Sequence, residues 1–152
     1  MSKVFNFIPN IGVGPFKFNM LRNELRKEVE KFNFIETDSG FPPDNLVDVD
    51  FIENTMFIEY NKSNECVAVE LAFGQDEAKP FFDIVFKQQK LFDLNFEELV
   101  TFLKQYDDNL EIDAAGLTSF KLGLGSYCPE HIENPKAKLE SLIVFKEGYY
   151  DD

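Results

Sequence analysis

"LVDVDFIENTMFIEYNKSNECVAVELAF", Leu46 to Phe73, is the stretch that decides the fold class. In its first run Val47, Val49 and Phe51 alternate with Asp48 and Asp50, the two-residue period of a half-buried strand. A second run, "TMFIEYN" (Thr55 to Asn61), follows a turn at Glu53-Asn54. A third, "CVAVELAF" (Cys66 to Phe73), follows the turn-rich "NKSNE". Connections this short join antiparallel neighbours, so the stretch predicts a β-meander.

Upstream, the period changes from two to about 3.6. Leu21, Leu25, Val29 and Phe32 line one side of residues 20–32, with charged residues between them, which predicts an amphipathic helix. "PFKFNM" (Pro15 to Met20) before it reads as a short strand. Downstream, "KPFFDIVFKQQKLFDL" (Lys79 to Leu94) reads as strand, turn at Gln88-Gln89, strand. "NFEELVTFLKQYDDN" (Asn95 to Asn109) is the clearest helix of the chain. Asn95 is a good N-cap with Glu98 three residues on, a capping-box spacing. Phe96, Leu99, Val100, Leu103 and Tyr106 form its apolar stripe. Two last strands are expected near Thr118 to Leu124 and Ser141 to Phe145.

These elements predict a single α+β domain over residues 1–152, with two helices packed on mainly antiparallel sheet. The halves 1–76 and 77–152 also echo each other. At an offset of 74, Phe18 meets Phe92, Glu24 meets Glu98, Leu25 meets Leu99, Val29 meets Leu103, and "VAVELAF" falls on "SLIVFKE". Two β-α-β-β-β repeats of this kind would pack about a pseudo-twofold axis.

Composition narrows the partners. The 18 Phe and 5 Tyr, with no Trp, describe a core packed with rings. Against 15 Lys and Arg stand 28 Asp and Glu, a net charge of −13. Such a chain repels nucleic acid and anionic membranes and speeds encounter with basic partners. The same acidity keeps a Phe-rich protein in solution. No signal-peptide pattern or membrane-spanning run is present, and two unpatterned cysteines, Cys66 and Cys128, fit a reducing compartment, so the cytoplasm is expected.

Several catalytic and ligand signatures fail on their own chemistry. Gly12 and Gly14 open a G-x-G, but Lys17 takes the third glycine position and a strand follows, so no dinucleotide or phosphate loop is expected. The glycines read as a turn that needs positive φ. Cys128 and His131 offer two metal ligands where zinc needs three or four. Glu130 and Glu133 flank them, which disfavours a reactive thiolate, so a loop cysteine beside a solvated histidine is expected. No cofactor, metal or enzymatic activity is expected.

The acidic distribution is more informative. No basic residue lies between Lys31 and Lys62, a stretch that holds Glu36, Asp38, Asp44, Asp48, Asp50, Glu53 and Glu59. Asp44, Asp48, Asp50, Glu53 and Glu59 are therefore the expected partner-binding face, with Phe41 and Tyr60 as aromatic anchors.

"GVGPFKFNMLRNEL" and "GLTSFKLGLGSYCPE…LESLIVFKEGYY" resemble the opening and closing segments of immunity proteins from bacterial polymorphic toxin systems, including the Bacillus-type systems with secreted nuclease toxins. The resemblance implies a cytoplasmic inhibitor that binds a cognate basic toxin, a nuclease, and blocks its active site. It carries over no toxin-contacting residue. The alternative is a small-ligand or metal-binding α+β domain, distinguished by whether EDTA or metal salts change thermal stability.

Overall fold

The computed structural model describes residues 3–37, 48–72 and 81–150. It is α+β, with two helices and two sheets. The smaller sheet holds β1 (Lys3–Ile8), β2 (Gly12–Val13), β3 (Phe16–Lys17), β8 (Phe82–Phe86) and β9 (Gln89–Lys90), in the order β3-β2-β1-β8-β9. The larger sheet collects two meanders: β4 (Phe34–Thr37), β5 (Asp48–Ile52), β6 (Met56–Tyr60) and β7 (Cys66–Ala72) from the first half, then β10 (Glu111–Ile112), β11 (Gly116–Ser119), β12 (Leu124–Tyr127) and β13 (Ser141–Phe145) from the second. They meet at β7 and β13, giving the order β10-β11-β12-β13-β7-β6-β5-β4 with every pairing antiparallel. Among the described residues the one parallel pairing joins β1 to β8, Lys3 opposite Phe82.

The meander and both helices lie where the periodicity places them. Glu53 and Asn54 turn the β5–β6 hairpin with φ of 51° and 56°, and Thr55 N donates to Ile52 O at 3.1 Å. Both residues in the left-handed region match the twist that a tight hairpin needs. The β8–β9 turn falls on Lys87 and Gln88, φ 51° and 68°, one residue before the expected Gln88-Gln89. Helix α2 (Phe96–Lys104) has its capping box: Asn95 Oδ1 accepts from Glu98 N at 2.8 Å, and Asn95 N donates to Glu98 Oε1 at 3.0 Å. The strand expected at Thr118 to Leu124 is instead the turn between β11 and β12 with one strand on each side. β1 was not expected at all.

Gly12 and Gly14 belong to the β2–β3 hairpin, as conformation rather than as a phosphate cradle. Gly14 has φ 53°, and a Cβ there would sit 2.5 Å from the Phe5 ring. Gly12 has φ 151°, and a Cβ would meet Phe16 O at 2.3 Å.

Helix α1 (Arg22–Val29) starts 74 residues before α2, and its buried Leu25 and Val29 correspond to Leu99 and Leu103 of α2. The central strands are out of step with that shift. Val69 points to the buried face of the large sheet, whereas Ile143, 74 residues on, is half-buried on the opposite face and pairs with Glu70. A one-residue change of register reverses the face of every side chain, so one 74-residue register does not run through both halves.

One continuous core joins the helices to both sheets. Aromatic contacts tie its parts together. The Phe5 ring lies 5.6 Å from both Phe16 and Phe82, Phe32 from the end of α1 lies 5.3 Å from Phe82, and Phe86 contacts Phe102 and Tyr106 of the α2 region.

Candidate functional site: the two faces of the acidic meander

The period-two pattern of β5 separates its side chains correctly, but the fold reverses the expected sides. The acids face inward and the apolar residues face outward. Asp50 is 0% exposed, while Val49 and Phe51 remain half-buried on the outer face. The cause is α1, which lies against the inner face and brings arginines to it. Arg22 Nη2 lies 2.6 Å from Asp50 Oδ1, and Nε lies 3.2 Å from the same oxygen. Nη2 also donates to the carbonyls of Thr37 and Val49, each at 3.3 Å. The Tyr60 hydroxyl donates to Asp50 Oδ2 at 2.8 Å, and the Arg22 guanidinium lies 4.9 Å above the Tyr60 ring. Asp48 Oδ2 stands 3.7 Å from Arg22 Nη1. One turn along the helix, Arg26 pairs with Glu36 of β4 and lies over the Phe34 ring.

The electrostatics follow from this enclosure. Burial alone would lower the Arg22 pKa, but the hydrogen bond and charge of Asp50 outweigh it and hold the value above normal. Burial first, then the charge of Asp50, pushes the Tyr60 phenol well above its ordinary value. A buried ion pair is held by its partner, and removing one member strands the other charge.

The proposed binding residues therefore divide. Asp50 is enclosed, Asp48 is half-buried against Arg22, and Tyr60 is 0% exposed, so the acids and ring of this inner group brace α1. Glu53 sits in the hairpin turn, where Oε1 accepts from Asn33 N at 2.9 Å. Asp44 and Phe41 lie outside the described residues. Of the four that are described, Glu59 alone stands on the outer face, opposite Val49 on β5 and Ala68 on β7.

Around Glu59 the outer face forms a pocket of about 270 Å³ lined by Val49, Phe51, Phe57, Ala68, Glu70, Ile143 and Tyr149. Sheet register explains the grouping: Ile35, Phe51, Phe57, Glu70 and Ile143 are successive partners across five strands. Phe51 and Phe57 meet edge to face at 4.7 Å. Glu59 hydrogen-bonds the Tyr149 hydroxyl, while its Oε2 is enclosed with no partner among the described residues. No basic side chain among the described residues pairs with Glu59 or Glu70. Burial raises the pKa of both carboxyls; the Tyr149 bond offsets part of the rise at Glu59, and the charge of Glu59 adds to it at Glu70. Burial and the bond to Glu59 also raise Tyr149.

Glu70 and Tyr149 did not figure among the expected site residues. The available signal was a lone carboxylate inside each apolar run, "FIEY" and "VELA", where a strand gains nothing from a charge.

The cysteine and histidine have other roles. Cys128 is buried, with Sγ 3.4 Å from Lys138 O, and burial raises its thiol pKa, as do Glu140 and Glu130. Cys66 is also buried, and its thiol is pushed up to about 12, first by burial. Such thiols are poor nucleophiles. His131 is not free in solvent: its ring stacks on Phe96 at 4.2 Å and Nε2 lies 2.6 Å from Asp113 O. It ties the turn after β12 to the start of α2 and the loop before β11. Among the described residues no three His, Cys, Asp or Glu side chains are grouped to hold a metal ion, and no helix is long and apolar enough to cross a membrane.

Compared with known proteins, the chain matches no family model, no curated protein and no solved structure.

Proposed function

We propose that the protein is an immunity-type inhibitor, binding a basic protein toxin of nuclease type and covering its cationic groove with the outer face of the large sheet. The observation that supports this reading is the Glu59–Glu70 pair, two carboxylates with no cationic partner among the described residues, set among Phe51, Phe57 and Tyr149 on rigid strands. The acids of the inner face are occupied by Arg22 and Arg26; these two are not. Aromatic side chains around a few charges are the composition of an interface centre. The net charge of −13 would steer a basic partner toward the protein before contact. The cytoplasm, where the toxin would be neutralised, is part of the same proposal.

The test is retention and inhibition together. The protein is used as bait in extracts of the source cells, and a retained basic protein is purified and assayed for nuclease activity with and without the inhibitor. Stoichiometric inhibition that weakens with salt supports the reading. A retained partner that is not basic, or one whose nuclease activity is unaffected, overturns it.

A further inference from the structure

The outer pocket has a shape and chemistry that select its occupant. At about 270 Å³ it falls below the roughly 300–1,000 Å³ usual for a drug-sized ligand, and it suits a single long side chain. Its walls are apolar: Val49, Phe51, Phe57, Ala68 and Ile143. Its polar groups are two carboxylates and a phenol, all with acceptor oxygens. Glu59 and Glu70 lie on neighbouring strands and on the same face, since Glu59 pairs with Ala68 and Phe57 with Glu70. A diagonal pair of this kind is within reach of one planar group. The enclosed Glu59 Oε2 is an acceptor that lacks a donor among the described residues.

We propose that this pocket receives one arginine side chain of the basic partner, with its guanidinium between Glu59 and Glu70 and its aliphatic stem against Phe51, Phe57 and Ile143. The proposal rests on the reading of the protein as an inhibitor of a basic toxin and names the contact. Arginine fits better than lysine for two reasons. Its fork offers several donors in one plane to two carboxylates, and its weakly hydrated face stacks on rings. Tyr149 then has a defined part. Its bond to Glu59 shields the carboxylate in the free protein and gives way to, or joins, the guanidinium in the complex.

A pH dependence follows from the groups that face the pocket. Among the described residues these are Glu59 from β6, Glu70 from β7 and Tyr149 from the C-terminal turn, with Tyr150 near enough to feel both carboxylate charges; β5 and β13 present only apolar side chains there. With both carboxyls raised above the ordinary 4.5, entry of a cation displaces protons, and binding strengthens as pH rises through their folded values.

The experiment does not require the toxin. The full chain is titrated with N-acetyl-arginine methylamide and, separately, with its neutral citrulline counterpart, while the side-chain carboxyl carbons are followed by NMR. Glu59→Gln and Glu70→Gln assign the two signals. The expected result is saturable movement of both signals with the arginine probe at millimolar concentration, at least tenfold weaker with citrulline. The movement disappears in the double variant, whose amide spectrum shows it folded. Equal responses to the two probes, or movement elsewhere with these two signals still, overturns the proposal. Failure of the inhibitor reading looks different: the probe binds at the pocket, yet no basic toxin is inhibited. If a toxin is inhibited equally by wild type and the Glu59→Gln/Glu70→Gln variant, the inhibitor reading stands and the arginine pocket falls.

Discussion

Strands β5 to β7 carry carboxylates on both faces, and the two faces use them in opposite ways. Inside, Asp50 is fully enclosed and met by Arg22 and Tyr60, with Asp48 nearby and Glu36 held by Arg26. Outside, Glu59 and Glu70 have apolar neighbours and no cation among the described residues. Asp50 accepts from the buried Arg22 and Tyr60 donors, and the inner acids fix where α1 docks. The outer acids raise the energy of the free protein, because burial opposes their charge and they oppose each other. Charge that destabilises a free surface is available to a partner that neutralises it. The same residue type is thus a structural brace on one face and an uncompensated charge on the other, according to whether the fold supplies an arginine.

The sharpest way to break the comparison is Asp50→Ala. It leaves the buried Arg22 with only the more distant Asp48 as counter-charge, and a loss of about 3 kcal/mol is expected in urea unfolding. A loss below about 1 kcal/mol would mean that the inner pair is no brace. Tyr60→Phe removes one hydrogen bond to the same carboxylate and should cost about 1.5–3 kcal/mol by the same measurement. The outer face should respond with the opposite sign. Glu70→Gln is expected to stabilise the free protein by about 0.5–2 kcal/mol while weakening binding to the proposed basic partner, the trade expected where a site holds unfavourable charge. Destabilisation by this change would place Glu70 with the inner group.

The smallest effect is the pH dependence. Glu59 and Glu70 have folded pKa values raised above the ordinary 4.5, so their favourable contribution is complete below that value and is lost as pH rises through the folded values. Lowering the pH from 7 toward 5 should therefore narrow the stability gap between wild type and Glu59→Gln/Glu70→Gln. Thermal unfolding of both proteins across this range checks it, and a gap that widens would reverse the sign argument.

Local chemistry was legible in the residues themselves. The strand period of the meander, the Glu53-Asn54 turn, the capping box at Asn95 and the two helices all appear where short-range rules put them, because each depends on neighbours within a few positions. The G-x-G stretch is conformational for the same reason. β1 was missed although "KVFNFI" alternates, because the strand takes its place by pairing with β8, some eighty residues away. The site was only partly legible. Glu59 was among the expected residues, while Glu70 and Tyr149 join it through a cross-strand register and a C-terminal turn that no local pattern specifies.

The sequence by itself determined that Asp48 and Asp50 share one side of a strand and that Val49 and Phe51 share the other, since side chains alternate across a pleat. Only the tertiary structure decided which side is inside. That choice was made by Arg22 and Arg26, more than twenty residues upstream of β5 in the case of both arginines, when α1 laid them against the sheet. A buried carboxylate is stable where a charged donor meets it and costly where none does, and that difference depends on distance in space rather than position in the chain.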